Sequence, residues 1–168
     1  MSDQRGLGRR ATARSYAVRL TVVLALLVGL YADDEFGRVL EPLTGATVRA
    51  TQSILGTLGV ETVRKGGELA VPGGFSYEIY FRCTGYLPVA CLAAAILLAP
   101  LPLRRKLPGL LVGGALLLAF NLFRLVHLFL VGVSSPEMFR ALHRFAWEPV
   151  TGAAVLVFWL LWRRRVGL

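Results

Sequence analysis

Cysteine is scarce in this chain of 168 residues, which contains only Cys83 and Cys91. Two cysteines cannot form a disulfide framework, so the class of small disulfide-rich secreted domains is excluded. If Cys83 begins a helix, the two Cα atoms lie about 12 Å apart along the helix axis, beyond the reach of a disulfide bond. We therefore predict that Cys91 is a small buried helix residue and that Cys83 is a free thiol.

Acidic residues are also few: 10 of them stand against 19 basic residues, which gives a formal net charge of +9. The basic residues cluster at the ends of apolar runs, which is the positive-inside pattern of a polytopic membrane protein. This distribution offers no continuous basic stripe, so no nucleic-acid partner is expected. The clusters consist of Arg5, Arg9, Arg10, Arg14 and Arg19, then Arg104, Arg105 and Lys106, then Arg163, Arg164 and Arg165.

Apolar residues, in contrast, dominate the composition, at 55% of the chain. This composition is too apolar for an ordinary soluble domain, and the chain is too short for two domains. We predict an all-α polytopic membrane protein that forms a single membrane domain over residues 1–168. Its apolar runs are long enough to cross a hydrocarbon core of about 30 Å. The four spans are predicted at residues 17–32, 87–103, 107–133 and 145–162.

The polar segments between these spans complete a consistent topology. The basic tails 1–16 and 163–168 and the basic turn between the second and third spans are predicted to be cytoplasmic. The first span is predicted to be an uncleaved anchor, because Leu30 stands where a cleavable signal peptide needs a small residue. The segments 33–86 and 134–144 then lie outside.

The long outer segment divides into two parts. Its first half has loosely helical apolar spacing and is predicted to form an amphipathic helix lying on the membrane. Its second half is predicted to be a small β-hairpin, because Pro72, Gly73 and Gly74 form a turn signal. After that turn, apolar and polar residues alternate over positions 75–82.

Cys83 is the first candidate for chemistry. It lies between the predicted hairpin and the second span, where unpaired N–H groups at a helix start favour a thiolate. Arg82 adds a local cation. The alternative interpretation is a structural cysteine at a helix start.

Arg124 is the second candidate, since it lies within the third span. Counted from Lys106, 18 residues carry it about 27 Å across the membrane. A charge in that position is costly and indicates a functional site. Asn121 and His127 lie one turn to either side on the same helix face, and Asn121 is predicted to hold Arg124. The alternative interpretation is an arginine that snorkels to the outer headgroups.

His143 is the third candidate, just before the last span, where an imidazole can act as general base and acid. His127 competes for this role but is predicted to support the site, and Glu148 could orient an imidazole. An interfacial histidine without a partner is the alternative. Two histidines and a thiol at three separate places lack metal-ligand spacing, so neither a metal nor another cofactor is expected.

The order of these segments resembles the exosortase/archaeosortase family. Cys83-Thr84-Gly85 opens a membrane helix, Asn121-Leu122-Phe123-Arg124 lies in a later one, and His143 precedes a helix that carries Gly152. Four spans resemble the short bacterial form, the exosortase H type, and a histidine as the third group is similar to bacterial members. Thr84 and Tyr86 replace the commoner Ser and Ile of that family.

The resemblance implies a membrane cysteine protease or transpeptidase of the bacterial inner membrane, with its active site on the extracytoplasmic side. Its substrates would be exported proteins that end in a short motif, a membrane helix and a basic tail, and its other partners would be membrane lipids. Cys83 would be the nucleophile, Arg124 would stabilise the oxyanion, and His143 would transfer protons. Two other classes remain open: a quinone-linked disulfide-forming membrane protein and a non-catalytic membrane assembly subunit.

Overall fold

The computed structural model describes residues 2–167, with side chains described from residue 14 onward. The predicted all-α polytopic fold with a small β-structure is confirmed. The elements are α1 (Ser2–Ala32), α2 (Asp34–Val39), α3 (Glu41–Thr57), β1 (Val63–Lys65), β2 (Glu68–Ala70), β3 (Ser76–Glu78), a 3₁₀ turn (Phe81–Cys83), α4 (Tyr86–Leu97), α5 (Leu103–Ser134), α6 (Pro136–Ala141), a π turn (Leu142–Ala146) and α7 (Trp147–Val166).

Three helical stretches within the described residues are long and apolar enough to cross a membrane. They are Arg14–Ala32 of α1, Leu103–Ser134, and the continuous stretch Pro136–Val166. The second predicted span needs a correction, because α4 ends at Leu97 and not at residue 103. Its 12 residues extend only about 18 Å. Pro100 and Pro102 explain the early end, since the residue before a proline is disfavoured in helical conformation.

The predicted hairpin forms, and a third strand joins it. β2 and β3 pair in antiparallel register with Leu69 opposite Tyr77, and β1 pairs with the other edge of β2. The predicted turn closes the hairpin, with Gly73 at a φ of +71°. That value lies in the left-handed region, where glycine carries no steric penalty. The regular strand ends at Glu78, so the alternation predicted as far as residue 82 runs into the 3₁₀ turn instead.

The predicted amphipathic helix corresponds to α3. Its buried residues Thr47, Val48, Thr51 and Leu55 lie on one face, as helical spacing requires. That face packs against α5 and β2. The apolar side of α3 is therefore covered by the protein itself.

α5 connects two separate groups of buried residues. The helix cluster joins α4, α5 and α7 and consists of Leu92, Ile96, Ala99, Leu117 and Trp162. The cap cluster joins α3, the sheet and the second part of α5 and consists of Val48, Leu55, Leu69, Tyr77, Ile79, Cys83, Leu125, Val126 and Phe129. Asn121 and Arg124 lie on α5 at the boundary between the two clusters.

Several helix ends meet at this boundary. The Tyr31 hydroxyl, near the end of α1, donates a hydrogen bond to the backbone oxygen of Arg82, just before α4. Trp147, the first residue of α7, packs against Phe120 and Phe123 of α5 at ring-centroid distances of 5.7 and 5.9 Å. The end of α1, the start of α4, the middle of α5 and the start of α7 therefore share one level of the bundle.

Candidate active site

Cys83 is the last residue of the 3₁₀ turn and belongs to the cap cluster, with 3% of its surface exposed. Thr84 closes this turn, because its hydroxyl donates a hydrogen bond to the backbone oxygen of Phe81 at 2.6 Å. The first residue of α4 is Tyr86, and Gly85 is its N-cap. The helix therefore begins one residue before the predicted start of the second span, and Thr84 and Gly85 separate it from Cys83.

Asn121 of α5 holds the backbone of this turn. Its side-chain Nδ2 donates a hydrogen bond to the backbone oxygen of Cys83 at 2.9 Å. Gly85 makes this approach possible, since its φ is +77° and an added Cβ would lie 2.9 Å from the Asn121 side chain. The predicted contact between Asn121 and Arg124 is absent from the described hydrogen bonds, because the amide group is directed at the thiol-bearing turn.

Tyr77 of β3 makes the one side-chain hydrogen bond that the described residues offer to the thiol. Its hydroxyl donates to the Cys83 sulfur at an O–S distance of 3.7 Å, and the phenol is 7% exposed. Burial raises the pKa of Tyr77 far above its ordinary value, and a negative charge on Cys83 raises this pKa further. The phenol therefore keeps its proton at neutral pH and remains a donor.

Tyr77 was not among the site residues predicted from the sequence. A signal was present, because Tyr77 is the only hydroxyl-bearing residue on the apolar face formed by Phe75, Tyr77, Ile79 and Phe81. A lone polar group on a strand face that packs into a core requires a hydrogen-bond partner.

His143 lies on the π turn between α6 and α7 and is half-buried. Its ring contacts Tyr77 edge-on at a centroid distance of 6.2 Å and stacks on Phe139 at 5.7 Å. Tyr77 thus contacts Cys83 with its hydroxyl and His143 with its ring. A cavity of about 390 Å³, lined in part by Phe139, His143 and Arg144, opens beside the imidazole.

Arg124 is a nearly buried cation, with 9% of its surface exposed. Its Nε is fully buried and has no hydrogen-bond partner among the described residues. The positive charge of Arg124 interacts electrostatically with both Tyr77 and His143. A fixed cation with an unused donor therefore influences the imidazole and the phenol that contacts the thiol.

His127 lies one turn further along α5 and faces a different neighbour. Its ring contacts Trp147 at 5.4 Å and Phe123 at 6.1 Å. Its Nδ1 is buried and has no partner in the described part of the chain. These contacts place His127 against the start of α7, outside the Tyr77 contacts that join Cys83 to His143.

The Arg82 side chain binds the end of α1. Its guanidinium donates to the backbone oxygens of Tyr31 and Ala32, both at 3.1 Å, and forms a salt bridge with Asp34 at 3.2 Å. The last carbonyls of a helix have no intrahelical partner, so these bonds stabilise the end of α1. The structure therefore gives Arg82 an anchoring contact that the sequence analysis did not predict.

Among residues 14–167, whose side chains are described, no group of three or more His, Cys, Asp and Glu side chains is close enough to hold a metal ion. The candidate site thus consists of a thiol, a phenol, an imidazole and a guanidinium. This combination supplies a nucleophile, a proton carrier and a fixed positive charge, which are the groups that acyl transfer requires.

The comparisons with known proteins give one match. A family model described as transmembrane exosortase matches residues 7–161, which includes every residue of the candidate site. Searches of curated proteins and of solved structures found no match.

Proposed function

This chain belongs to the transmembrane exosortase family, and we propose that it is a membrane-embedded cysteine protease or transpeptidase. The proposed substrates are exported proteins that end in a short motif, an apolar helix and a basic tail. The proposed location is the bacterial inner membrane, with the site on the extracytoplasmic side. The positive-inside distribution of Arg104, Arg105 and Lys106 at the opposite end of α5 supports this orientation.

The observation that carries the proposal is the pair of contacts made by Tyr77. Its hydroxyl touches the Cys83 sulfur and its ring touches His143. Residues from three separate parts of the chain therefore meet at one place. Core packing alone gives no reason to add the buried charge of Arg124 there, since a buried cation without a partner is costly.

In the proposed first half-reaction, the Cys83 thiol gives its proton to His143, and the sulfur attacks the scissile carbonyl carbon. A carbon–sulfur bond forms, and the carbonyl oxygen becomes an oxyanion that Arg124 stabilises. The carbon–nitrogen bond then breaks, and His143 returns the proton to the leaving amine. The products are a thioester on Cys83 and the released apolar tail.

In the second half-reaction, an amine or a water molecule attacks the thioester carbonyl. The carbon–sulfur bond breaks, the new amide or acid leaves, and the proton of the nucleophile returns Cys83 to the thiol form. Because Cys83 is almost fully buried, the substrate has to displace part of the cap cluster to reach the sulfur. We propose that it approaches through the cavity beside His143.

Trapping of the thioester tests this function. The full-length protein is co-expressed with an exported protein that carries the C-terminal tail, and membranes are quenched with acid. We expect a covalent adduct that neutral hydroxylamine releases, and we expect mass spectrometry to locate it on the peptide that contains Cys83. A thioester route would be contradicted if the tail is cleaved but no covalent adduct is found, either in the wild-type protein or in His143 variants that cleave more slowly.

Tyr77→Phe should lower the cleavage rate about tenfold or more, because it removes a hydrogen bond to a group that becomes charged. The rate is measured by the mobility shift of the co-expressed substrate at matched levels of each variant in the membrane.

Tyr80→Phe is the matched control. Tyr80 lies three residues before Cys83, is partly exposed, and its hydroxyl makes no hydrogen bond within residues 14–167. It should retain the wild-type rate. A Tyr77→Phe protein that cleaves at the wild-type rate would show that the phenol serves packing only.

A further inference from the structure

A groove of about 990 Å³ lies between the beginning of α5 and the end of α7, at the far end of the bundle from Cys83. Its walls are mainly apolar side chains of α4, α5 and α7. Four guanidinium groups stand at its end, because antiparallel packing brings the first residues of α5 beside the last residues of α7. These are Arg104, Arg105, Arg164 and Arg165.

Within residues 14–167, no carboxylate side chain lies near enough to neutralise this basic groove. α4 and α5 contain no acidic residue. The single acid of α7, Glu148, is 16 residues from Arg164, or about 24 Å along the helix. None of the four arginines forms a salt bridge within residues 14–167. Like charges repel more strongly beside apolar walls than in water, so the groove favours an anion.

Trp162 adds an unused hydrogen-bond donor to the basic groove. It lines the groove with 8% of its surface exposed, and its buried Nε1 has no acceptor in the described structure. The indole packs directly on Gly109 of α5, where an added Cβ would overlap the ring. A buried N–H without an acceptor is costly, so an oxygen-bearing ligand in the groove would satisfy it.

We propose that the basic groove binds an anionic phospholipid, with the phosphate at the arginines and an acyl chain along the apolar walls. Guanidinium groups bind phosphate in a planar, two-bond geometry, and basic pockets between membrane helices bind acidic lipid headgroups. Inorganic phosphate would leave the apolar walls unused. A basic polypeptide tail, such as that of the substrate proposed above, would be repelled. The proposal goes beyond the proposed function and does not require Cys83.

The test titrates the purified full-length protein, in neutral detergent, with phosphatidylglycerol or phosphatidylcholine and counts bound lipids by native mass spectrometry. Phosphatidylglycerol should bind at least about tenfold more tightly than phosphatidylcholine, since each basic residue near an anionic headgroup adds to the free energy of binding. Arg105→Gln/Arg164→Gln should weaken its binding about tenfold or more. Trp162→Phe keeps an aromatic ring but removes the N–H donor, and it should weaken binding severalfold.

Arg64→Gln/Lys65→Gln is the matched control, because it removes the same charge from the exposed strand β1. It should bind phosphatidylglycerol as wild type does. Equal binding of the two lipids, wild-type affinity in Arg105→Gln/Arg164→Gln, or full displacement of the lipid by millimolar phosphate would overturn the proposal. If the double arginine variant does not fold, as judged by its melting transition, the affinity of Trp162→Phe decides the question.

Discussion

Cys83→Ala and Cys83→Ser should abolish cleavage of the co-expressed substrate, with a loss of at least about a thousandfold. Removing the nucleophile of an acyl-transfer enzyme leaves only what binding and charge stabilisation contribute. A serine at position 83 would be a poor substitute, because its hydroxyl ionises far less readily than a thiol near neutral pH. The measurement is the mobility shift of the substrate at matched levels of each variant in the membrane.

Cys91→Ala is the control for this result. Cys91 is half-buried within α4, eight residues after Cys83, and makes none of the contacts that join Tyr77, Cys83 and His143. It should keep wild-type activity. An equal loss at both cysteines would point instead to a redox pair, as in a quinone-linked disulfide-forming membrane protein. Full activity without either thiol would favour a non-catalytic assembly subunit.

Elements that depend on local patterns could be predicted from the sequence. The hairpin of β2 and β3 follows from a Pro-Gly-Gly turn, and α3 follows from its helical spacing. The end of α4 was missed, although Pro100 and Pro102 mark it. The apolar run continues to Leu103, and hydropathy does not register that a proline interrupts helical geometry.

Contacts within the site depend on packing between distant segments and could not be predicted. Asn121 was expected to hold Arg124, which lies one turn away on the same helix, because only local spacing was known. The structure pairs Asn121 with the backbone of Cys83, 38 residues away. That pairing depends on the left-handed Gly85, which leaves room for the amide, and sequence spacing carries no information about such an approach.

Arg124→Lys should lower the cleavage rate about a hundredfold, which corresponds to ~3 kcal/mol of transition-state stabilisation from one fixed donor. The buried Nε of Arg124 has no partner in the described structure and is therefore available to an oxyanion. Lysine keeps the charge but lacks this donor and the planar geometry. Arg124→Gln should lose as much or more, because it also removes the charge that acts on His143.

Two histidine variants distinguish this role from a general effect on folding. His143→Ala should lose at least as much activity as Arg124→Lys, because it removes the proposed proton carrier. His127→Ala should be milder, since His127 contacts Trp147 and Phe123 and neither Tyr77 nor Cys83. All variants are compared at equal membrane levels, and the comparison includes only variants that keep the wild-type melting temperature. If Arg124→Lys cleaves at the wild-type rate while His127→Ala is inactive, these assignments are wrong. His127 would then replace His143 as the base that acts on Cys83, and the contact between Tyr77 and His143 would be part of the cap packing.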